Sequence, residues 1–253
     1  MGVVITKSPR VNKTQVAEQF SRHAQDYVAQ ARVQHRIAHE GLARASKWFT
    51  GRGECIVDLG CGVGHNLAGL SAFAEHVVGV DIAQGMVANN VSAYPIVQSD
   101  FDDLRLPDAS ADYVFSSMAL QWSESPQRVL SHIHRVLKPG GRALCAIMVS
   151  PSFERLREAF KDAGLTGRIN DFAASAQWSS GLFSKCQMDE QVFVDEFDDF
   201  RTMMGSIKEI GASTVISQSA VSPIGRAQYE HIIDGLEGDY SLDYRVCFLS
   251  LVK

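Results

Sequence analysis

The tightest constraint on this chain's fold is the stretch ValAspLeuGlyCysGlyValGlyHis at 57–65. An apolar run closes on an acid and passes directly into three glycines at alternate positions, which reads as a strand entering a Gly-x-Gly-x-Gly loop ahead of a helix. Glycines there let backbone N–H groups come close to a ligand at the carboxyl end of a first strand, the usual crevice of an open α/β sheet. Such a strand requires parallel neighbours and helices on both faces of the sheet.

The following residues supply them in alternation. β-rich runs at Glu54–Leu59, His76–Val80, Tyr94–Gln98, Asp112–Ser116 and Arg142–Met148 are separated by helical stretches. The clearest helix is Pro126–Leu137, where Val129, Leu130, Ile133, Val136 and Leu137 share one face, and LysProGlyGly at 138–141 is expected to end it and turn into the next strand. Upstream, Val16, Phe20, Ala24, Tyr27, Ala31, Ile37 and Leu42 recur at helical spacing with no Gly or Pro between Asn12 and Glu40, which predicts one or two amphipathic helices. Downstream come a helix at Phe153–Ala163, a poorly patterned stretch containing Trp178, a strand at Gln191–Phe197, a helical segment at Asp199–Ile210 and a final strand at Tyr244–Val252. One α/β domain over 1–253 is expected, with a helical cover at 12–48, a core at 54–163 and a helical insertion at 199–240 between the last two strands.

The glycine spacing does not suit a dinucleotide, because Gly64 comes early and His65 stands where a third glycine would be needed. Asp58, at the strand end, would face a polyphosphate unfavourably, but it suits a cationic ligand such as the ammonium and sulfonium of S-adenosylmethionine. Asp81 follows the next strand, 21 residues after Gly60, where a carboxylate can accept both ribose hydroxyls. Asp100 follows the third strand; its carboxylate can take an adenine amino group while Phe101 packs on the ring. Three acids at consecutive strand ends around one loop define a cofactor site, expected to comprise Asp58, Gly60, Cys61, Gly62, Gly64, Asp81, Ile82, Met86, Asp100, Phe101 and Ser117.

On AspLeuGlyCysGlyValGly, GlyValAsp, GlnSerAspPhe, AspTyrValPheSerSer and LeuLysProGlyGly, the stretch Val57–Gly141 resembles the class I S-adenosylmethionine methyltransferases. That resemblance implies a Rossmann-like, seven-stranded, mostly parallel sheet with the last strand antiparallel. A narrower one rests on PhexArgxAlaxxTyr at 20–27, AsnLys at 12–13, AlaxxxGln near 30–34, AlaLeuGlnTrp at 119–122 and SerIleLysGluIleGlyAla at 206–212. These are similar to the malonyl-acyl-carrier-protein O-methyltransferases of biotin synthesis, with Ser117 where such enzymes commonly have Asn and Gly205 in place of Arg. The resemblance implies S-adenosylmethionine as methyl donor, S-adenosylhomocysteine as product, and methyl esterification of a malonyl thioester on acyl carrier protein or coenzyme A. A malonyl carboxylate is ionised near neutral pH, so alignment and desolvation matter more than a general base. Tyr27 and Gln121 are the candidates for positioning, Trp122 for excluding water, and Lys208 for attracting the carboxylate. A methyltransferase for another small acid or a quinone precursor, and a non-catalytic S-adenosylmethionine-binding subunit, are the alternatives.

Composition narrows the remaining classes. With 45% hydrophobic and 21% charged residues a buried core is feasible. No run approaches the roughly 18 apolar residues of a membrane span, and MGVVITKSPR lacks the apolar core of a secretory signal, so a cytoplasmic location is expected. Five cysteines, without CxxC spacing, predict neither disulfides nor a zinc knuckle. His35 and His39 lack a nearby third ligand, and His132 and His134 fall on different helix faces, so no metal is expected. Residues 1–52 carry about +6 and the remainder −11, which suggests either a solvated helix face or a docking surface for an acidic carrier protein; no basic run with interleaved aromatics points to nucleic acid.

Overall fold

The computed structural model describes residues 12–24, 31–209 and 224–253. Its strands are β1 (Gly53–Leu59), β2 (Ala74–Asp81), β3 (Ile96–Gln98), β4 (Ala111–Ser117), β5 (Leu137–Met148), β6 (Lys185–Glu196) and β7 (Ser241–Val252). They form one sheet in the order β3-β2-β1-β4-β5-β7-β6. The pairs β1–β2, β1–β4, β2–β3 and β4–β5 are parallel, whereas β7 runs antiparallel to both β5 and β6. After β1 the chain moves outward to β2 and β3 and returns to place β4 on β1's other side. That reversal opens a crevice at the carboxyl ends of β1 and β4.

The described helices are α1 (Lys13–His23), α2 (Arg32–Trp48), α3 (Leu67–Leu70), α4 (Gln84–Ala88), α5 (Pro126–Val136), α6 (Glu154–Asp162), α7 (Phe200–Glu209) and α8 (Arg226–Leu236). Alternate strand residues divide the core between the sheet's two faces. Ile56, Tyr113, Phe115 and Leu144 join Ala45 of α2 and Leu67 and Leu70 of α3. Their neighbours Val57, Leu59, Val114, Ala143, Cys145 and Ile147 pack instead with Val129, Leu130, Ile133 and Val136 of α5. Those four α5 side chains are fully buried, each contributing roughly 1.5–3 kcal/mol of transfer free energy. Pro126 starts that helix, where its missing N–H would have had no partner in any case. A third cluster joins α6, α7 and α8 to Tyr244, Val246 and Phe248 of β7.

Two boundaries differ most from the sequence expectation. LysProGlyGly does not lie outside the strand: α5 stops at Val136 and β5 begins at Leu137, with the four residues absorbed as an irregularity where the β4–β5 register shifts. β6 begins at Lys185, six residues before the expected start, because its first half, LysCysGlnMetAspGlu, belongs to a sheet-edge strand and shows no core-facing alternation.

The basic N-terminal segment has an internal use. From α2, Arg32 pairs with Asp195 at 3.2 Å, Arg36 Nη1 donates to the Val194 carbonyl at 2.8 Å, and Arg44 Nη1 donates to Asp189 at 2.5 Å. These three arginines bond to β6. Among the described residues no helix is long and apolar enough to cross a membrane.

Candidate active site

β1 delivers the glycine loop into the crevice. The N–H groups of Gly60 and Cys61 both donate to the Val80 carbonyl, at 2.7 and 3.0 Å, so the loop is bonded to the end of β2. Gly60 has φ +72°, and a Cβ there would lie 2.1 Å from Ala119 Cβ, so the turn admits no side chain. Gly60, Cys61, Gly62 and Val63 line the cavity, as do Ile82 and Met86. Gly64 does not; at φ +89° it closes the turn against Ser92 and Asn90.

Asp81 lies between the loop and the next turn. Its Oδ2 accepts the Gly62 N–H at 2.9 Å and its Oδ1 the Ala83 N–H at 2.8 Å, leaving lone pairs on both oxygens for hydroxyl donors. Burial pushes its pKa up, against the lowering effect of those backbone bonds. Asp58 departs from expectation: it does not reach the cavity wall but is fully buried behind the loop, with neither carboxylate oxygen hydrogen-bonded. Desolvation, then the nearby Asp81 charge, raises its pKa well above the usual carboxylate range.

At the β3 end, Phe101 lines the cavity while Asp100 lies just outside it. Asp100 Oδ1 accepts the Asp102 N–H at 2.8 Å and the Lys13 ammonium of α1. Lys13 also lies 2.5 Å from Asp102 Oδ2 and 4.2 Å from the centroid of the Phe101 ring. α1 is further held by the Gly85 N–H, which donates to Ser21 Oγ at 3.1 Å, and by Phe20, whose ring meets Trp122 edge-on at 6.0 Å. Trp122 lines the cavity and is nearly buried, a place consistent with walling off water.

The β4 end is less fully bonded. Met118, in a left-handed conformation at φ +53°, turns the chain after Ser117. Gln121 Nε2 donates to the Met118 carbonyl at 2.7 Å, so Gln121 ties this turn and lies just outside the cavity lining. Ser117 Oγ and Gln121 Oε1 are buried without partners. Gln34 of α2 also lines the cavity, nine-tenths buried, its Oε1 without a partner. His35 and His65 face one another there with ring centroids 5.4 Å apart, and desolvation, then His35, holds the His65 pKa below its ordinary value.

Lys13, Gln34, His35 and His65 escaped the sequence reading as site residues. Lys13 and Gln34 stand inside the AsnLys and AlaxxxGln patterns, and His65 in the place of the missing glycine, so the signal was present without a role attached. Tyr27 lies outside the described residues, as does the side chain of Lys208, whose backbone belongs to α7.

Residues 57–145 match a family model described as a methyltransferase domain. The chain is 30% identical over 241 residues to the malonyl-[acyl-carrier protein] O-methyltransferase of Hahella chejuensis, covering 90% of this chain and 84% of that protein. The chain belongs to the malonyl-[acyl-carrier protein] O-methyltransferase family. Within that family it is also similar to the biotin biosynthesis bifunctional protein BioHC of Saccharophagus degradans, at 28% identity over 96% of this chain and 47% of the longer protein. Among solved structures, the YcgJ protein of Bacillus subtilis superposes with a TM-score of 0.62 at 20% identity, over 85% of this chain and 98% of that one. The last likeness concerns the fold; the family match makes this an S-adenosylmethionine-dependent methyltransferase.

Proposed function

We propose that this chain transfers a methyl group from S-adenosylmethionine to the free carboxyl of a malonyl thioester on acyl carrier protein, a step in making biotin precursors. The reading is carried by end-to-end similarity to a relative named for that reaction, joined to a cavity whose residues fit its cofactor. The orphaned carboxylate of Asp58 is the test of fit. A buried charge without partners is costly, and a cationic amino-acid end above the glycine loop lowers that cost.

In this reading the Gly60–Gly62 backbone cradles the amino-acid end, Asp81 accepts the ribose hydroxyls, and Phe101 packs on the adenine with Asp100 at its rim. Bound S-adenosylmethionine supplies a methyl on a sulfonium, so that a C–O bond to the acceptor forms as the C–S bond breaks and sulfur takes the electron pair. The acceptor carboxylate arrives ionised, and the protein's task is to align it and keep water out. Trp122 and Phe20 close the cavity for that purpose; Tyr27 and Lys208 complete the proposal, Tyr27 as a positioning group and Lys208 as an attractor of the carboxylate. Transfer of labelled methyl from S-adenosylmethionine to malonyl carrier protein, malonyl-coenzyme A and free small acids tests the reading. Malonyl thioesters are expected to give a base-labile ester far faster than free acids; equal rates reject the acceptor assignment.

A further inference from the structure

The glycine loop follows β1, which lies between β2 and β4 in the sheet, and the acids beside it are of one sign. Asp81 lines the cavity and Asp58 is buried behind the loop, its carboxylate without a hydrogen bond. Both suit an ammonium and a sulfonium. Both oppose a carboxylate, and the amino-acid end of S-adenosylmethionine carries a carboxylate as well as an ammonium. That carboxylate needs donors and a counter-charge of its own if the cofactor is to sit above this loop.

Among the described residues of the wall, three side chains can bear positive charge: Lys13, His35 and His65. Lys13 is held by Asp100 and Asp102 beside the Phe101 ring, at the β3 end. The histidines belong to the loop itself and to α2. His65 directly follows Gly64, and the ring of His35, from the first turn of α2, meets it edge-on with centroids 5.4 Å apart and planes at 75°. Both residues line the cavity and are exposed at its rim, so an anion above the loop can reach them. Desolvation, then the neighbouring His35, holds the His65 pKa below its ordinary value, as expected of rings that oppose one another's charge. The titratable groups on the surrounding elements are Asp81 and the buried Asp58 from the sheet, Lys13 from α1, and His39 and Glu40 one turn further along α2, while Arg32 and Arg36 of α2 are bonded to β6.

We propose that His35 and His65 together bind the carboxylate of the cofactor's amino-acid end and take up a proton as they do so. The assignment rests on S-adenosylmethionine as the cofactor and not on the identity of the acceptor. A neutral imidazole offers one N–H, whereas a protonated one offers two and a charge, so an arriving carboxylate favours the charged form. The pair's contribution to cofactor affinity therefore falls as pH rises through the imidazole range. Asp58 works in the opposite direction, since an ammonium near its carboxyl favours loss of its proton. The difference between parent and variant isolates the histidines.

Calorimetric titration of the whole chain with S-adenosylmethionine, and with its decarboxylated analogue, which keeps the sulfonium and the ammonium, tests it. Repeating each titration near pH 7 in two buffers of different ionisation enthalpy counts the protons exchanged. With His35→Ala and His65→Ala combined, affinity for S-adenosylmethionine is expected to fall by about three- to thirtyfold, the loss of charge-assisted hydrogen bonds at a partly exposed rim. The analogue should bind within about twofold of the parent, and the variant should take up fewer protons with S-adenosylmethionine than the parent does. With His35→Ala kept, His65→Lys is expected to recover part of the lost affinity, because lysine supplies a donor and a charge. The assignment is overturned if the double alanine variant binds S-adenosylmethionine within about twofold of the parent, or if both ligands weaken alike, as a merely structural role would give. An unchanged proton count, or no recovery with His65→Lys, overturns it equally. A parent that binds neither ligand removes the cofactor site and this assignment together. A parent that binds both, with variant affinities unchanged, removes only the role of the histidines.

Discussion

The two ends of the cavity are built in opposite ways. At the β2–β3 end every acid on the wall or rim already has partners: Asp81 accepts two backbone N–H groups and Asp100 accepts a backbone N–H and a lysine. At the β4–α2 end the carboxamide of Gln34 and the hydroxyl of Ser117 are uncharged and unpaired. A rigid, bonded end fits a ligand of constant shape, because preorganised groups lose little freedom on binding. An end with unpaired neutral groups is completed by whatever occupies it and selects by hydrogen-bonding pattern. On the proposed function, the difference assigns cofactor and acceptor to separate parts of one fold.

The strongest way to break the comparison is Gly60→Val. Its Cβ would lie 2.1 Å from Ala119 Cβ in a left-handed backbone, so the loop cannot hold its path. Titration is expected to show a loss of cofactor affinity of more than about 3 kcal/mol, the range of strained substitutions at special backbone positions; retained affinity would mean that the loop is not the cradle. Asp81→Ala should cost roughly 1–3 kcal/mol of S-adenosylmethionine affinity by the same measurement, because charge-assisted hydrogen bonds to hydroxyls are lost. Unchanged affinity in a folded variant would displace the ribose from the β2 end.

Asp58 sharpens the comparison through pH. Its pKa is raised in the folded protein, so its contribution to stability is complete below the unfolded carboxyl value and is lost as pH rises through the folded one. Without cofactor, Asp58→Asn should therefore melt higher than the parent at pH 7, the gap closing toward pH 4, while binding cofactor more weakly. A melting curve that follows the parent at every pH rejects the buried-charge account. The smallest effect is expected from Lys13→Met, which removes the contact of α1 with Asp100, Asp102 and Phe101. Cofactor release should quicken severalfold, corresponding to about 1 kcal/mol, with added salt narrowing the difference from the parent; no change at low salt would leave α1 without a hold on the adenine end.

What was legible in the sequence follows the same division. The core strands could be read because apolar runs buried on both faces leave strong marks, and the loop because its glycines are required by backbone geometry. The edge strand β6 was read short because its polar first half faces solvent. The bond of Gln121 to the Met118 carbonyl was not legible because it depends on a left-handed turn that no residue type announces. Asp58 was correctly set at the strand end, yet its depth behind the loop is a property of packing. Gln34 sits in a helix whose period marks it as polar among core positions, and only the fold shows that those positions face a cavity.

The attachment of α2 to β6 bears on how the molecule behaves at high concentration. β6 is twelve residues long, has a single strand neighbour, and exposes Met188, Val192 and Val194, the kind of margin along which sheets of separate molecules zip together. Arg36 takes up the Val194 carbonyl, and the strand carries Asp189, Glu190, Asp195 and Glu196. Two such margins meeting would bring acid against acid with fewer carbonyls left to share. Arg36, which fastens the cover to the sheet, thus also guards its rim against fibre-like self-association, and replacing it would be felt first as poor solubility.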